Sequence, residues 1–356
     1  MKGTIKILTI LGIKLEMHIT FLILPIFFWF MYGMKGIFII CAIFTCVAAH
    51  ELMHSVVAKN YGIKVDKIIL LPIGGIANMR SNPKTPMQEF MISIAGPLFN
   101  IILALVLYFP LKIVLGSYSL SHPSLITWSG TMAYAYWINP ILAGFNLLPA
   151  FPMDGGRILR SLLAIKFSYL KATKIAVGFG HLFALIFAFI ALTSQPPNLI
   201  LLLIALFVFM AASQEQSVAS LKSTLNNIKV LDVLPENVYS VNPQTTMSDV
   251  LNQMLHSNQE DFPVVTDEGR ITGFLPREKI ILTVQNKELD KKVYEIMLVD
   301  FPTATSSEFL GSAYSKMEST HLKALPVIDN EGILKGIITL ENVSRVYSLF
   351  ARKQRK

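Results

Sequence analysis

Apolar residues arrive in long runs over roughly the first 215 positions, and the pattern then changes. About 20 consecutive apolar residues suffice to carry a helix across a bilayer. Residues 16–33, 36–58, 88–109, 125–148, 172–193 and 197–213 reach or approach that length, so a polytopic α-helical membrane protein with six spans is expected. The fourth run is interrupted by Asn139, Pro140 and Asn146, and the sixth is short but unbroken. The first run is followed by further spans and has no small-residue cleavage site, so no cleavable signal peptide is expected.

Between the second and third runs the stretch KIILLPIGGIANM (67–79) is apolar and β-branched, with a proline and a Gly-Gly pair inside it. It predicts a membrane-associated β-hairpin with an open edge. Residues 218–356 have the balance of an ordinary soluble protein and contain a repeat. FPVVTDEGRITGFLPREKI (262–280) aligns with LPVIDNEGILKGIITLENV (325–343), matching Val264 to Val327, Gly269 to Gly332, Gly273 to Gly336 and Glu278 to Glu341. Each copy predicts helix, strand, Glu-Gly turn, strand, helix, the leading helices covering 246–256 and 308–319. A duplicated unit whose halves bury a shared face is the physical reading. The expected organisation is therefore a membrane domain (1–215), a polar linker (216–228) and two cytoplasmic α/β copies (229–285 and 293–348).

Composition sharpens this picture. The chain has 356 residues, 53% hydrophobic and only 15% charged, against about 25% charged in soluble domains. Basic residues cluster in alternate loops: Lys2, Lys6 and Lys14; Lys59, Lys64, Lys67, Arg80 and Lys84; Arg157, Arg160, Lys166, Lys171 and Lys174. The other loops hold only Lys35 and Lys112. Basic loops stay cytoplasmic, so both termini are expected on that side of the cell membrane. The net charge of +8 reflects this topology, and no aromatic–basic pattern points to nucleic acid. Cys41 and Cys46 point to different faces of one helix, so no disulfide joins them.

The second span contains His50-Glu51-Leu52-Met53-His54. Positions i and i+4 share a helix face, so the two histidines can hold one ion, with Glu51 beside it to accept a proton from an attacking water. Hydrogen-bonded polar packing is the bland reading. Three ionisable groups inside one span need a shared explanation, however, and a metal supplies one. Two imidazoles and a carboxylate suit zinc with one position left open. Asp154, before Gly155 and Gly156, is a candidate third ligand. It also fits a turn or helix cap, but it falls at the same cytoplasmic depth as the histidines. His18 reads as interfacial, His181 as an interhelical partner, Cys46 as a small packing residue, and Asn100 and Asn139 as interhelical hydrogen-bonders; His122 falls in an outside loop.

HELMH in a span, followed in order by LLPIGGIANM (70–79), AGPLFN (95–100) and NLLPAFPMDGG (146–156), resembles the site-2 protease family of intramembrane zinc metalloproteases, above all its bacterial and archaeal, sporulation-type members. The resemblance covers residues 1–215. It implies one zinc per chain held by His50, His54 and Asp154, Glu51 as general base and then acid, and Asn146 binding the substrate backbone or the oxyanion. It further implies a substrate-binding hairpin around Gly74 and Gly75, and membrane-protein substrates cut within the lipid bilayer. The repeat resembles a tandem pair of CBS domains, which implies an adenine nucleotide as ligand and a homodimer through the pair. The ribose-contacting Thr and Asp of that family are matched in part by Thr339 and Asn342, while the first copy departs with Pro276 and Lys279. A ligand-free gating module is the plainer reading of the tail. A rival for the whole chain is a CBS-gated ion transporter or channel using the same polar residues as an ion path.

Overall fold

The computed structural model describes residues 3–72, 74–79, 82–235 and 237–353. Lys2 and Arg80, counted above among the basic loop residues, and Ile73 of the hairpin lie outside them. The chain divides into two compact units, Met1–Ala219 and Ser220–Lys356.

The first unit opens with strands β1 (Thr4–Ile10) and β2 (Ile13–His18). A 3-10 turn and helix α1 (Ile23–Tyr32) follow. Within the expected first span, 16–33, the opening residues are strand and the apolar helical stretch covers Ile19–Tyr32, shorter than the about 20 residues that cross a bilayer. At Gly33, with φ 59°, the chain turns into α2 (Met34–Asn60). Gly36 lets α2 approach α1 closely, since a Cβ there would strike the Phe28 carbonyl.

Strands β3 (Val65–Leu71) and β4 (Gly74–Met79) pair antiparallel. The pair belongs to a larger sheet in the order β1-β2-β3-β4, where β2 and β3 are parallel and the other pairings antiparallel. Ile13, Val65, Ile68 and Leu70 from this sheet share a core with Ile40, Phe44 and Ala58 of α2. The sheet is thereby fixed against the helix that carries the histidines.

Helix α3 (Pro86–Ser121) starts with Thr85 accepting from the Gln88 N–H at 3.3 Å, and Pro86 occupies the first turn. It is broken at Gly116, where φ is 76°. Helix α4 (Trp128–Asn146) ends at the loop leading to the short α5 (Asp154–Leu163), followed by α6 (Tyr169–Thr193) and α7 (Leu199–Leu225). Four helices among the described residues, α2, α3, α6 and α7, are long and apolar enough to cross a membrane. That differs from the six expected. α1 is too short, and α4, with Asn139, Pro140 and Asn146 along it, falls short in apolar character. Residues 216–225 of the expected linker are helical, the end of α7.

In the second unit the repeat takes the expected form. The first copy is α8 (Met247–His256), β5 (Phe262–Val265), β6 (Ile271–Leu275) and α9 (Arg277–Gln285). The second begins with the two-residue β7 (Ala304–Thr305), then α10 (Leu310–Thr320), β8 (Ala324–Ile328), β9 (Leu334–Thr339) and α11 (Leu340–Lys353). The turn glycines Gly269 and Gly332 adopt φ 76° and 79°, which favours glycine. The two turns also meet. Ile271 N–H donates to the Gly332 carbonyl at 3.2 Å and Leu334 N–H to the Gly269 carbonyl at 3.1 Å.

Candidate metal centre

Helix α2 places His50 and His54 one turn apart, both buried, with exposures of 3% and 6%. Their Nε2 atoms lie 3.1 Å apart. Asp154, the first residue of α5, brings its Oδ2 to 3.1 Å from each Nε2. The loop before α5 folds back tightly to deliver it. A Cβ at Gly155 would strike the Leu147 and Leu148 carbonyls, and one at Gly156 would lie 2.5 Å from the Phe151 nitrogen.

The other ring nitrogens decide what these three atoms can do. His54 Nδ1 lies 2.6 Å from the Ile92 carbonyl, which only accepts, so Nδ1 carries the proton. His50 Nδ1 donates in the same way to Asn100 Oδ1 at 2.7 Å, and Asn100 Nδ2 donates to Asn139 Oδ1 at 2.9 Å. In the neutral rings both Nε2 atoms are therefore bare acceptors facing each other and a carboxylate oxygen. Three acceptors with no hydrogen among them repel unless a cation sits between them. Zinc bonds of about 2.0–2.1 Å in a tetrahedron give ligand–ligand edges of roughly 3.3 Å, close to the 3.1 Å separations here. The donor set thus fits zinc, and a ring nitrogen anchored on a carbonyl or amide is how ligating histidines are normally held.

Two glycines shape the surroundings. A Cβ at Gly96 of α3 would fall 2.7 Å from His50 Nε2 and strike His54 as well, so the backbone of α3 lies directly against the rings. A Cβ at Gly75 of β4 would fall 2.6 Å from Glu51 Cγ. β4 therefore passes over the Glu51 side chain. Among the described residues β4 has one strand neighbour, β3, which leaves its outer edge unpaired.

The remaining sequence candidates are placed as follows. Asn146 ends α4, half-buried, and no hydrogen bond joins it to His50, His54 or Asp154. Gly74 starts β4 beside Gly75. His18 caps the 3-10 turn through Thr20, and His181 bonds Ser213 Oγ of α7 at 3.0 Å. Cys46 is outside the metal-ligating group. Asn100 and Asn139 do bond between helices, but Asn100 also holds a ring of the centre. That role, the Ile92 carbonyl and the Gly96 contact are not among the expectations; the AGPLFN element carries a signal for Gly96 and Asn100 only.

In the second unit Thr339 and Asn342 bond each other. Thr339 Oγ1 donates to Asn342 Oδ1 at 2.7 Å, and Asn342 N–H donates back to Thr339 Oγ1 at 3.1 Å, which caps α11. In the first copy Pro276 stands in the cap position, and the Asp261 carboxylate accepts the Arg277 N–H at 2.9 Å. A cleft of about 320 Å³ is lined by Val238, Ser240, Val265, Gly269, Leu334, Lys335 and Gly336, without Thr339 or Asn342.

Comparison with known proteins bears on both units. The profile of peptidase family M50 matches residues 38–189, and that of the CBS domain matches 230–286 and 293–349. A zinc metalloprotease of Methanocaldococcus jannaschii is 36% identical over 99% of this chain and 99% of its own length. Stage IV sporulation protein FB of Bacillus subtilis is 29% identical over 47% of this chain and 54% of its own. The structure of a site-2 protease from M. jannaschii, 42% identical, covers 60% of this chain and 95% of its own with a TM-score of 0.44.

Proposed function

The chain belongs to peptidase family M50, as a zinc metalloprotease with a tandem CBS pair, and from that premise we propose that it hydrolyses peptide bonds within or near the transmembrane segments of membrane-bound substrates, in regulated intramembrane proteolysis. The observation that carries the reading is the convergence of three bare acceptor atoms at 3.1 Å spacing, two of them on α2, a helix apolar enough to span a membrane.

His50, His54 and Asp154 would hold one zinc. When bound, the metal lowers the pKa of the attacking water to about 7 and polarises the scissile carbonyl. Glu51, one residue from a ligand, accepts the proton from that water and returns it to the leaving amine. Asn146 would donate its side-chain amide to the substrate backbone or to the oxygen that becomes negative, a contribution worth about 3 kcal/mol in other hydrolases. The free edge of β4 supports a way of gripping substrate. A transmembrane helix must unwind to be cut, and its freed N–H and C=O groups then need partners in a place with little water. An added strand at Gly74 and Gly75 would satisfy them beside Glu51. The basic loops support cytoplasmic termini in the cell membrane, which reporters fused to either end read directly. A homodimer through the CBS pair and an adenine nucleotide there are the family's implication for the second unit.

The ion-transporter reading is separated from this one by Glu51. In the wild type and in Glu51→Gln, purified in detergent, we expect one zinc per chain and cleavage of a single-span substrate by the wild type alone. Zinc in both with ion flux and no proteolysis would instead favour transport.

A further inference from the structure

Arg160 lies in α5, six residues beyond Asp154, and is only 4% exposed. Its guanidinium makes ion pairs with Glu89 of α3 and Glu215 of α7, Nε donating to Glu89 Oε1 at 2.9 Å. Its face stacks on Phe151, 4.7 Å from the ring centre, and on Tyr169, at 4.8 Å. Phe151 belongs to the loop that delivers Asp154, and is itself packed among Ala176, Val177 and Ala212. One side chain thus joins that loop, α3, α6 and α7.

The placement of Glu89 gives this cluster a meaning beyond packing. Along α3, Glu89, Ile92, Gly96 and Asn100 are spaced by three, four and four residues, which puts them on one stripe of the helix. Every member of that stripe serves the metal centre or Arg160. Asn100 holds His50, the Ile92 carbonyl holds His54, and Gly96 lies against both rings. Glu89 holds the helix that carries Asp154. Two ligands and the third are therefore registered against the same rod by different means. A rise of about 9 Å along α5 separates Asp154 from Arg160, so a tilt of α5 about its pairing with α3 moves the carboxylate relative to the histidines.

Resting on the zinc reading above, we propose that Arg160, through Glu89, is a positioning residue for the metal centre, setting where Asp154 stands relative to His50 and His54. The planar guanidinium is needed, because a lysine ammonium can neither pair along two edges nor stack on two rings at once. Arg157, in the same helix, is exposed, whereas Arg160 is buried.

The test uses the full chain in detergent, stripped of metal and titrated with zinc, and in parallel loaded with cobalt(II) for its visible ligand-field spectrum. Arg160→Lys and Glu89→Gln are expected to bind zinc 10- to 100-fold more weakly than the wild type, the range found for outer residues that orient ligands. Their cobalt spectra should shift, and kcat should fall with KM unchanged. A purely structural role would lower the melting temperature of the metal-free and metal-loaded forms equally and leave zinc affinity and the cobalt spectrum at wild-type values; that result overturns the proposal. Should Arg160→Lys fail to fold, Glu89→Gln, which keeps the arginine and its Glu215 partner, decides by the same readouts. A wild type that binds no zinc would sink the metal reading itself, independently of Arg160.

Discussion

At the scale of single residues, the centre rests on atoms of unequal visibility. His50, Glu51 and His54 are legible because i, i+4 spacing is a property of one helix, and Asp154 because the following Gly-Gly pair stands out in an apolar stretch. The Ile92 carbonyl, which sets the tautomer of His54, belongs to the backbone and has no letter of its own. Gly96 is visible as a letter, but its reason lies in a neighbour 42 or 46 positions away, the two imidazoles. Its replacement by alanine is expected to push the rings apart and weaken zinc binding at least tenfold, which metal titration of Gly96→Ala would check; wild-type affinity would show that α3 can yield at this point. The same scale explains why Arg160 read as a loop cation. Removing one partner of a buried ion pair costs about 3–5 kcal/mol, but nothing in the local sequence announces that Glu89 and Glu215 are there.

At the scale of elements, the sheet is where sequence reasoning fell shortest. The β3–β4 pair is legible in a β-branched run with a proline and a Gly-Gly pair inside it, whereas β1 lies before the first apolar run, where no strand is expected, and only the end of β2 falls within that run. β2 alternates, with Ile13, Leu15 and Met17 packing in the core of the sheet and α2, but only His18, at its end, and Thr20 separate it from the apolar residues that lead into α1. Apolar length alone does not separate a strand followed by a short helix from a span. The repeat was read well because its signals, the turn glycines and two-residue alternation, are local. The edge of β4 carries a prediction of its own. Gly75→Pro removes an N–H from that strand and forces ring atoms toward Glu51. Cleavage should drop at least tenfold while bound zinc is unchanged. Undiminished cleavage would argue against strand addition at this edge.

At the scale of the whole molecule, the protease and CBS units are separate compact bodies on one chain. If the second controls the first, full-length protein should change its cleavage rate with ATP, ADP or AMP, and a chain ending after residue 219 should not. Indifference of the full-length protein to all three nucleotides, together with unchanged cleavage by the shortened chain, would leave the pair without a regulatory role. The separation of the ligands along the chain has one more consequence. Asp154 follows His50 by 104 residues, and a ribosome adding about 5–20 residues per second needs roughly 5–20 s to make that stretch. For that interval both histidines and Glu51 exist without the carboxylate proposed to complete the grip. If the three residues hold the metal as proposed, the centre is incomplete among the newly inserted proteins around it until Asp154, the third ligand along the chain, has been made.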